Sequence, residues 1–317
     1  MTGPFDSYSQ NGEDVVLMRA FGHLEEGRYV DVGANDPVHF SLTYAFYQRG
    51  WSGITVDPVK EFADALREKR SRDTVVEAAV TDSDDDTITL HTIAGTGLST
   101  TVGGIAGGHR ERGWSASTTE VPALRLDTVI EQAGLADGPI HFVNVDVEGA
   151  ERSVLASIDL TRIRPWVFVV ESTLPLTTHQ SHDSWERLLL DHGYTATLFD
   201  GLSRYYLADE HLEEYGHQLS YPACVLDNFT TEKQRADAAE SERRRIDVEQ
   251  LTADLIRWRN AALTRWQDAS SASALAYGGE LGRTRHELFQ IRQTISWRVT
   301  RPIRSVRTLM KTLRVGR

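Results

Sequence analysis

Cysteine is almost absent from this sequence: Cys224 stands alone among 317 residues. A single thiol excludes an internal disulfide and any cysteine-rich metal site. It fits a reducing compartment, and the expected location is cytoplasmic. Long apolar runs are missing too, with nothing near the roughly 18 residues of a membrane span. The N-terminus lacks the basic flank and apolar core of a secretion signal. Residues 295–317 hold seven cations and no Asp or Glu, although the whole chain carries a net charge of −12. An acidic body disfavours phosphate-rich partners, so no nucleic acid is expected, whereas the tail should seek an anionic surface.

What is present is organised around residues 28–58. RYVDVGAND reads as a strand with Asp31 and Gly33 at its exit, a helix should follow, and GITVDP reads as a second strand ending on Asp57. A strand feeding a glycine turn and a helix N-terminus offers unpaired N–H groups to an anionic group. An acid closing the next strand accepts hydrogen bonds from ribose hydroxyls. Asp57 follows Gly33 at roughly the separation of about 20 residues that this geometry requires. A dinucleotide fingerprint needs three glycines, however, and here Asn35 and Val38 stand where the second and third would fall. Asp36 also places a negative charge where a pyrophosphate would lie. A ligand with a nucleoside, a carboxylate and an ammonium but no phosphate fits better, and S-adenosylmethionine is such a ligand. The plainer reading is a strand–helix turn in which Asp36 caps the helix and Pro37 takes its first position. The two are compatible.

The rest of the chain can be placed around that motif. Ser9, Gln10 and Glu13 precede a short helix and either fold over the pocket or serve as its cap. Phe40, Tyr44 and Tyr47 recur at helical spacing, read as core, and Gly50 ends that helix. A helix follows at 61–69 and a third buried strand at 74–80, whose exit brings Val80 and Asp82 near an adenine. Asp84, Asp85 and Asp86 read as a solvated turn. Ile88, Leu90 and Thr92 alternate as an edge or hairpin strand does. Residues 95–108 read as a lid or a disordered loop, and Asp127 as the cap of a helix ending at Gly134.

A second motif, IHFVNVDVEGAE, runs a buried strand into Asp146 and Glu148, with a helix starting at Gly149. Carboxylates there are costly to bury without partners. Asp31, Asp57, Asp82, Asp146 and Glu171 each close a predicted strand, and ligands of parallel sheets bind beyond those ends. Strands at 194–199 and 204–207 joined by Asp200 and Gly201 make a hairpin. The expected fold class is α/β: a doubly wound sheet with antiparallel edge strands and a C-terminal helical extension.

The pieces SQNGED, YVDVGAND, FYQRGWSGITVDP, RLDTV, NVDVEGAE, VVEST and FDGLSRYYL stand in this order over residues 8–229. As an ordered set they resemble the FkbM-type methyltransferases, which are S-adenosylmethionine-dependent O-methyltransferases. The resemblance implies a Rossmann-like sheet and methylation of a hydroxyl, often on a sugar or natural product. It implies Asp31, Gly33, Ala34 and Asn35 near the methionyl group, Asp57 on the ribose, Asp82 near adenine, and Asp146 and Glu148 beside the transfer site. Asp36-Pro37 departs from the pattern of a residue followed by glycine. A sugar hydroxyl is a poor nucleophile, so a base or a metal must help, and burial can raise a carboxylate to a useful basicity. Asp146 is the leading base or metal ligand, with Glu148 or Glu171 assisting and His39 a second candidate. Magnesium held by Asp146 and Glu171 is consistent with oxygen ligands.

Domains are expected at 1–229, 230–294 and 295–317. Ile246, Leu251, Leu255, Trp258, Ala262 and Trp266 form an apolar stripe that resumes at Leu281 after a break around Gly278 and Gly279. This reads either as a long helix or coiled coil, through which the chain could self-associate, or as a helical hairpin. In the last segment Arg298, Arg301, Arg304 and Arg307 stand opposite Ile303, Val306, Met310 and Leu313, with Trp297 beside them. An anionic membrane surface suits that pattern; nucleic acid is the rival. Similar tails resemble those on bacterial cell-surface glycan enzymes, which points to a glycan or glycolipid acceptor. Two other readings stand beside the methyltransferase: an NAD-dependent oxidoreductase, which the missing glycines disfavour, and a non-catalytic scaffold, which the intact rim of acids disfavours.

Overall fold

The structure is a computed structural model, and it describes residues 5–93, 99–101, 116–174, 177–300 and 302–304. The chain divides into two compact units, Met1–Ala236 and Asp237–Arg317. In order, its elements are β1 Phe5–Ser7, α1 Glu13–Phe21, β2 Arg28–Val32, α2 Tyr44–Gln48, β3 Ser52–Val56 and α3 Lys60–Lys69. There follow β4 Thr74–Val76, β5 Ala79–Val80, β6 Thr87–Ile93, β7 Ser99–Thr100, β8 Ala116–Leu124 and α4 Leu126–Gln132. The second motif supplies β9 Phe142–Val145 and α5 Glu151–Ala156, followed by β10 Val167–Glu171 and α6 Glu186–Leu190. The chain continues through β11 Tyr194–Phe199, β12 Ser203–Ala208, α7 Leu212–Tyr215, β13 Phe229–Thr231, α8 Glu232–Gln293 and α9 Ile295–Val299.

Seven strands form the main sheet in the order β11-β12-β10-β9-β2-β3-β4. The five from β10 to β4 are parallel, and β12 and β11 add antiparallel pairings at one edge, with Asp200 and Gly201 turning the hairpin between them. Alternation explains why the parallel strands are apolar almost throughout. Val30, Val32, Val143, Val145, Phe168 and Val170 pack on one face with Leu126 and Val129 of α4 and Leu155 of α5. Tyr29, Phe142, Val167 and Val169 pack on the other with Leu17 and Phe21 of α1 and Phe46 of α2. A parallel sheet covered on both faces needs apolar residues at both parities.

Several expectations fail locally. The chain does not enter a helix after Gly33: Asp36 Oδ1 accepts from the N–H groups of Val38 and His39 at 2.8 and 2.7 Å, but it caps a turn, and α2 begins only at Tyr44. Tyr44 and Tyr47 are core as expected, but Phe40 lies in that turn with φ 56° and is 75% exposed. The third strand is broken after Val76, so that β4 joins the main sheet while β5 pairs with β8 in a second sheet of order β5-β8-β6-β7. The alternating segment is β6, which pairs antiparallel with both β7 and β8 as a hairpin strand does; only the edge alternative fails, since β6 is interior to that sheet with Leu90 buried. Helix α4 starts a residue before Asp127, which instead binds Arg125 at 3.0 Å from within the first turn. The predicted lid at 95–108 lies mostly outside the described residues.

In the second unit the break at Gly278 and Gly279 does not occur, and neither does a helical hairpin. Helix α8 runs unbroken for 62 residues, beginning just before that unit, and carries no buried residue. Residues 305–317 of the basic tail lie outside those described. Among the described residues no helix is long and apolar enough to cross a membrane.

Candidate functional site

From β2 the chain proceeds outward to β3 and β4, whereas from β9, its other neighbour, it proceeds to β10 on the opposite side. Such a reversal leaves a crevice at the carboxyl ends of the strands. A cavity of about 1040 Å³ lies there. It is lined by Asp31 near the end of β2, Gly33, Ala34 and Asn35 after it, Asp57 after β3, Val80 in β5, Asp146 and Glu148 after β9, and Glu171 ending β10. Gln10 and His39 line it as well, so eleven of the twelve residues expected at the site share one cavity. Asp82 is not in the lining; the apolar wall there is made instead by Phe62, Ala78, Ala79, Val80 and Leu90. Ser9 and Glu13 are likewise not in the lining. Ser9 bonds Asp14, and Glu13 accepts from the Asn11 N–H at 2.8 Å, so both shape the turn that presents Gln10.

Each acid is held differently. Asp31 is buried and accepts from Thr43 Oγ1 at 2.6 Å and from Asn144 Nδ2 at 2.9 Å. Thr43 in turn accepts from the wholly buried Arg70, whose guanidinium also donates to the Pro37 carbonyl and to Ser41. Arg70 therefore braces the turn behind the motif from within the core. Asp57 accepts from the N–H groups of Asn35 at 2.9 Å and Val59 at 2.8 Å, and burial pushes its carboxyl up to about 6.

Asp146 and Glu171 form a hydrogen-bonded carboxyl pair at the ends of β9 and β10. Burial raises both, and the negative charge of Asp146 raises Glu171 further, so that Glu171 holds the proton of the pair. The Oε2 atom of Glu171 is buried without a hydrogen-bond partner. Glu148 sits in the left-handed region, φ 54°, followed by Gly149 at φ 101°. Burial first, then the charges of Asp146 and Glu151, push Glu148 up to about 8. Glu151 accepts from the Gly149 N–H at 2.8 Å and is pushed up to about 7 by burial. His39 reaches the rim, but its Nδ1 lies 2.6 Å from Glu232 Oε1 at the start of α8. The hydrogen bond to Glu232 raises its pKa and so favours the imidazolium, a poor base.

The donor set does not suit the expected magnesium. Among the described residues no three of His, Cys, Asp and Glu are grouped to hold a metal ion, and Asp146 and Glu171 are joined to each other through a proton. Sequence reasoning also missed Asn144, Thr43 and Arg70. Asn144 had a signal, since it stands two residues before Asp146 in the same motif; Arg70, at the end of an amphipathic helix, had none.

Comparison with known proteins adds one strong match. The family described as the methyltransferase FkbM domain matches residues 31–196, more than half of the chain. Comparison with curated proteins gives no match. Among solved structures, a proposed RNA methyltransferase from Pyrococcus horikoshii matches at 13% identity and a TM-score of 0.32, covering 66% of this chain and 93% of its own. A precorrin-6y C5,15-methyltransferase from Geobacter metallireducens matches at 13% identity and a TM-score of 0.29, covering 62% and 85%. Likenesses this remote carry no argument about activity.

Proposed function

Because the chain belongs to the FkbM methyltransferase family, we propose that it is an S-adenosylmethionine-dependent O-methyltransferase acting on a hydroxyl of a sugar, glycan or glycolipid. The observation that carries this reading is the charge of the cavity. Six carboxyl side chains line it, Asp31, Asp36, Asp57, Asp146, Glu148 and Glu171, and no Lys or Arg does so among the described residues. A pyrophosphate would meet repulsion there, which counts against NAD. A ligand carrying a sulfonium and an ammonium would be attracted. The reversal of chain direction between β2 and β9 supports a Rossmann-like, doubly wound description of the sheet.

The residues present fit S-adenosylmethionine. Asp57 would hold the ribose hydroxyls, since its oxygens are positioned by two backbone N–H groups. The apolar wall of Phe62, Ala79, Val80 and Leu90 would take the adenine, and Asp31 with Asn35 and Gln10 the methionyl end. When bound, this cofactor supplies an electrophilic methyl group to an acceptor oxygen. The protein must then orient the acceptor and take its proton. The Asp146–Glu171 pair would do the second, since burial raises both carboxyls above the ordinary carboxylate range. Its burial makes it a better base than a solvated carboxylate. Most of the acceleration would come from positioning the two reactants.

Calorimetric titration with S-adenosylmethionine and, separately, NAD tests the reading. Saturable binding of the first, weakened at least tenfold by Asp57→Ala, is the expected result. Absence of S-adenosylmethionine binding by folded protein, or tight binding of NAD, would overturn it. Around this activity we place the protein in the cytoplasm, with α8 as a site of self-association and the basic segment 295–317 against an anionic membrane surface. The charge pattern of that segment is what supports the membrane contact.

A further inference from the structure

Helix α8 buries none of its residues, yet it is not polar all round. Leu255, Trp266, Tyr277 and Leu288 recur every eleven residues, and all four are exposed, Tyr277 to 74%. Eleven residues make three turns and about 20° more, so such a repeat keeps to one line along a nearly straight helix. Leu251, Trp258 and Ile291 widen that line, and Ala262, Ala269 and Ser273 leave gaps between its large side chains. Most helical stability comes from packing an apolar face rather than from propensity. Propensity is a poor support here, because the helix also carries Gly278, Gly279 and Gly282, all on the side away from the line.

Two observations say what covers the line. The first is area. An aromatic side chain buries about 150–250 Å², so Trp258, Trp266 and Tyr277 from two copies would remove roughly 900–1,500 Å² from water. A stable interface needs roughly 1,200–2,000 Å², and the leucines supply the remainder. The gaps between the rings are the holes that a second helix's large side chains require.

The second observation is charge. Beside the line, the N-terminal stretch carries Glu240, Glu242, Asp247, Glu249 and Asp254 against Arg244 and Arg245. Farther on, the line is flanked by Arg265, Arg283, Arg285 and Arg292 against Glu280 and Glu287. Glu249 and Arg285 are about ten turns apart, and Asp254 and Arg283 about eight, so each pair shares a flank. Two such helices running in opposite directions bring like flanks together. Glu249 then comes level with the second copy's Arg285, and Asp254 with its Arg283. Running in the same direction, acids would face acids and arginines would face arginines, which is repulsive. Within one copy Glu242 and Glu249 already share Arg245 at 2.6 Å, whereas Arg283, Arg285 and Arg292 have no ion pair among the described residues.

We infer that α8 of one copy pairs antiparallel with α8 of a second, centred near Gln267, with Trp266 at the middle of the seam. The inference rests on the self-association placed on α8 above, and adds its seam, its register and its direction. Direction has a consequence for the basic segments. Residue 295 of one copy and residue 295 of the other would stand about 85 Å apart, at opposite ends of the pair. One dimer would then meet an anionic surface at two separate points.

The test uses the full chain with Cys224→Ser as background. Sedimentation equilibrium should show a dimer. Leu255→Glu combined with Trp266→Glu should convert it to a monomer without changing the unfolding temperature of the first unit. Spin labels are attached at Ala253→Cys and, separately, at Ser271→Cys. These positions are exposed, about five turns apart and away from the seam, so the two labels project alike. Double electron–electron resonance should give a distance between copies about 20 Å longer at 253 than at 271. Equal distances would mean parallel pairing and would overturn the direction, leaving self-association in place. Arg285→Glu should weaken the dimer about fivefold, and adding Glu249→Arg should restore it to within twofold. A combined variant no tighter than Arg285→Glu alone would overturn the register. A wild-type monomer, a higher oligomer, or a dimer that survives the loss of Leu255 and Trp266 would each overturn the pairing altogether. Cofactor binding tests the methyltransferase reading separately, and it stands whichever of these results is found.

Discussion

The carbonyl oxygen of Asp146 lies 1.7 Å from where a Cβ on Gly33 would stand. The two motifs of the site are therefore in backbone contact across the β2–β9 crevice, and the glycine that opens the first motif is required by the second. The sequence pattern reads Gly33 as the turn that brings backbone N–H groups to a ligand. In the structure the immediate demand is steric and internal, added to a φ of 86°.

Gly33→Ala should accordingly be among the costliest single substitutions in the first unit. Left-handed strain and a backbone collision together should remove roughly 3–5 kcal/mol. Gly201→Ala is the control: its φ is 106°, but nothing lies within 4 Å of the added Cβ. It should cost about 1 kcal/mol. Urea unfolding of the two variants checks the difference, and equal losses would refute the contact argument.

Arg70 is wholly buried and 3.7 Å from Asp73, which accepts from Tyr29 Oη at 2.8 Å and from the Gly53 N–H at 3.0 Å. Removing the guanidinium leaves Asp73 without its cation and the Pro37 carbonyl and two hydroxyls without donors. Arg70→Met should cost about 3–5 kcal/mol. Arg70→Lys should recover only part, because an ammonium cannot match the forked guanidinium. Denaturant midpoints rank the three proteins; a Lys variant equal to wild type would mean that charge alone matters.

Asp146→Asn should lower methyl transfer by roughly 10²–10⁴-fold, the usual span for loss of a general base. The amide keeps the shape but cannot take the acceptor's proton. Cofactor affinity should change far less than turnover. A variant with wild-type turnover on its acceptor would show that the pair is structural.

The strand ends were legible because each is announced twice, by an apolar run and by the acid that closes it; Asp31, Asp57, Asp146 and Glu171 all reached one cavity. The segment after Gly33 was not. Asp36 and Pro37 satisfy the local rules for a helix start, yet the chain is held in a turn by Arg70, a partner some thirty residues away that no local pattern reports. The break between Val76 and Ala79 was hidden for a similar reason. Seven residues of strand-like composition do not say that their two ends pair in different sheets. Asp82 was assigned on the assumption that the strand stayed whole. Phe40 was misplaced because its spacing from Tyr44 is helical while its backbone is not.

At Gly278 and Gly279 local composition suggested a stop, but helix α8 continues through both. Neither a Cβ on Gly278 nor one on Gly279 would have a heavy atom within 4 Å. Each glycine therefore weakens an exposed helix interior by about 1 kcal/mol relative to alanine. Gly278→Ala and Gly279→Ala should each slow amide exchange in the surrounding turns about fivefold. No change in exchange would mean that the helix is already interrupted there in solution.

Glu148 gives the stability of the first unit a pH dependence of definite sign. Its ordinary value of 4.5 is raised to about 8 in the folded chain, chiefly by burial. Between those values the folded protein keeps a proton that the unfolded chain has lost. The contribution of Glu148 is therefore fully present below about 4.5 and is lost as the pH rises through about 8. His141 works in the opposite direction, since burial pushes it down to about 4 and its stabilisation is lost as the pH falls. Wild-type stability alone would mix the two. Glu148→Gln separates them, because the amide is neutral at every pH and close to the protonated acid in shape. Glu148→Gln should match wild type in Tm at pH 4, where the glutamate is protonated, and exceed it at pH 9, where the buried carboxylate is charged beside Asp146. Thermal unfolding of both proteins across that range measures the divergence. Parallel curves would mean that solvent reaches Glu148 more freely than its burial against Asp146 and Glu151 implies.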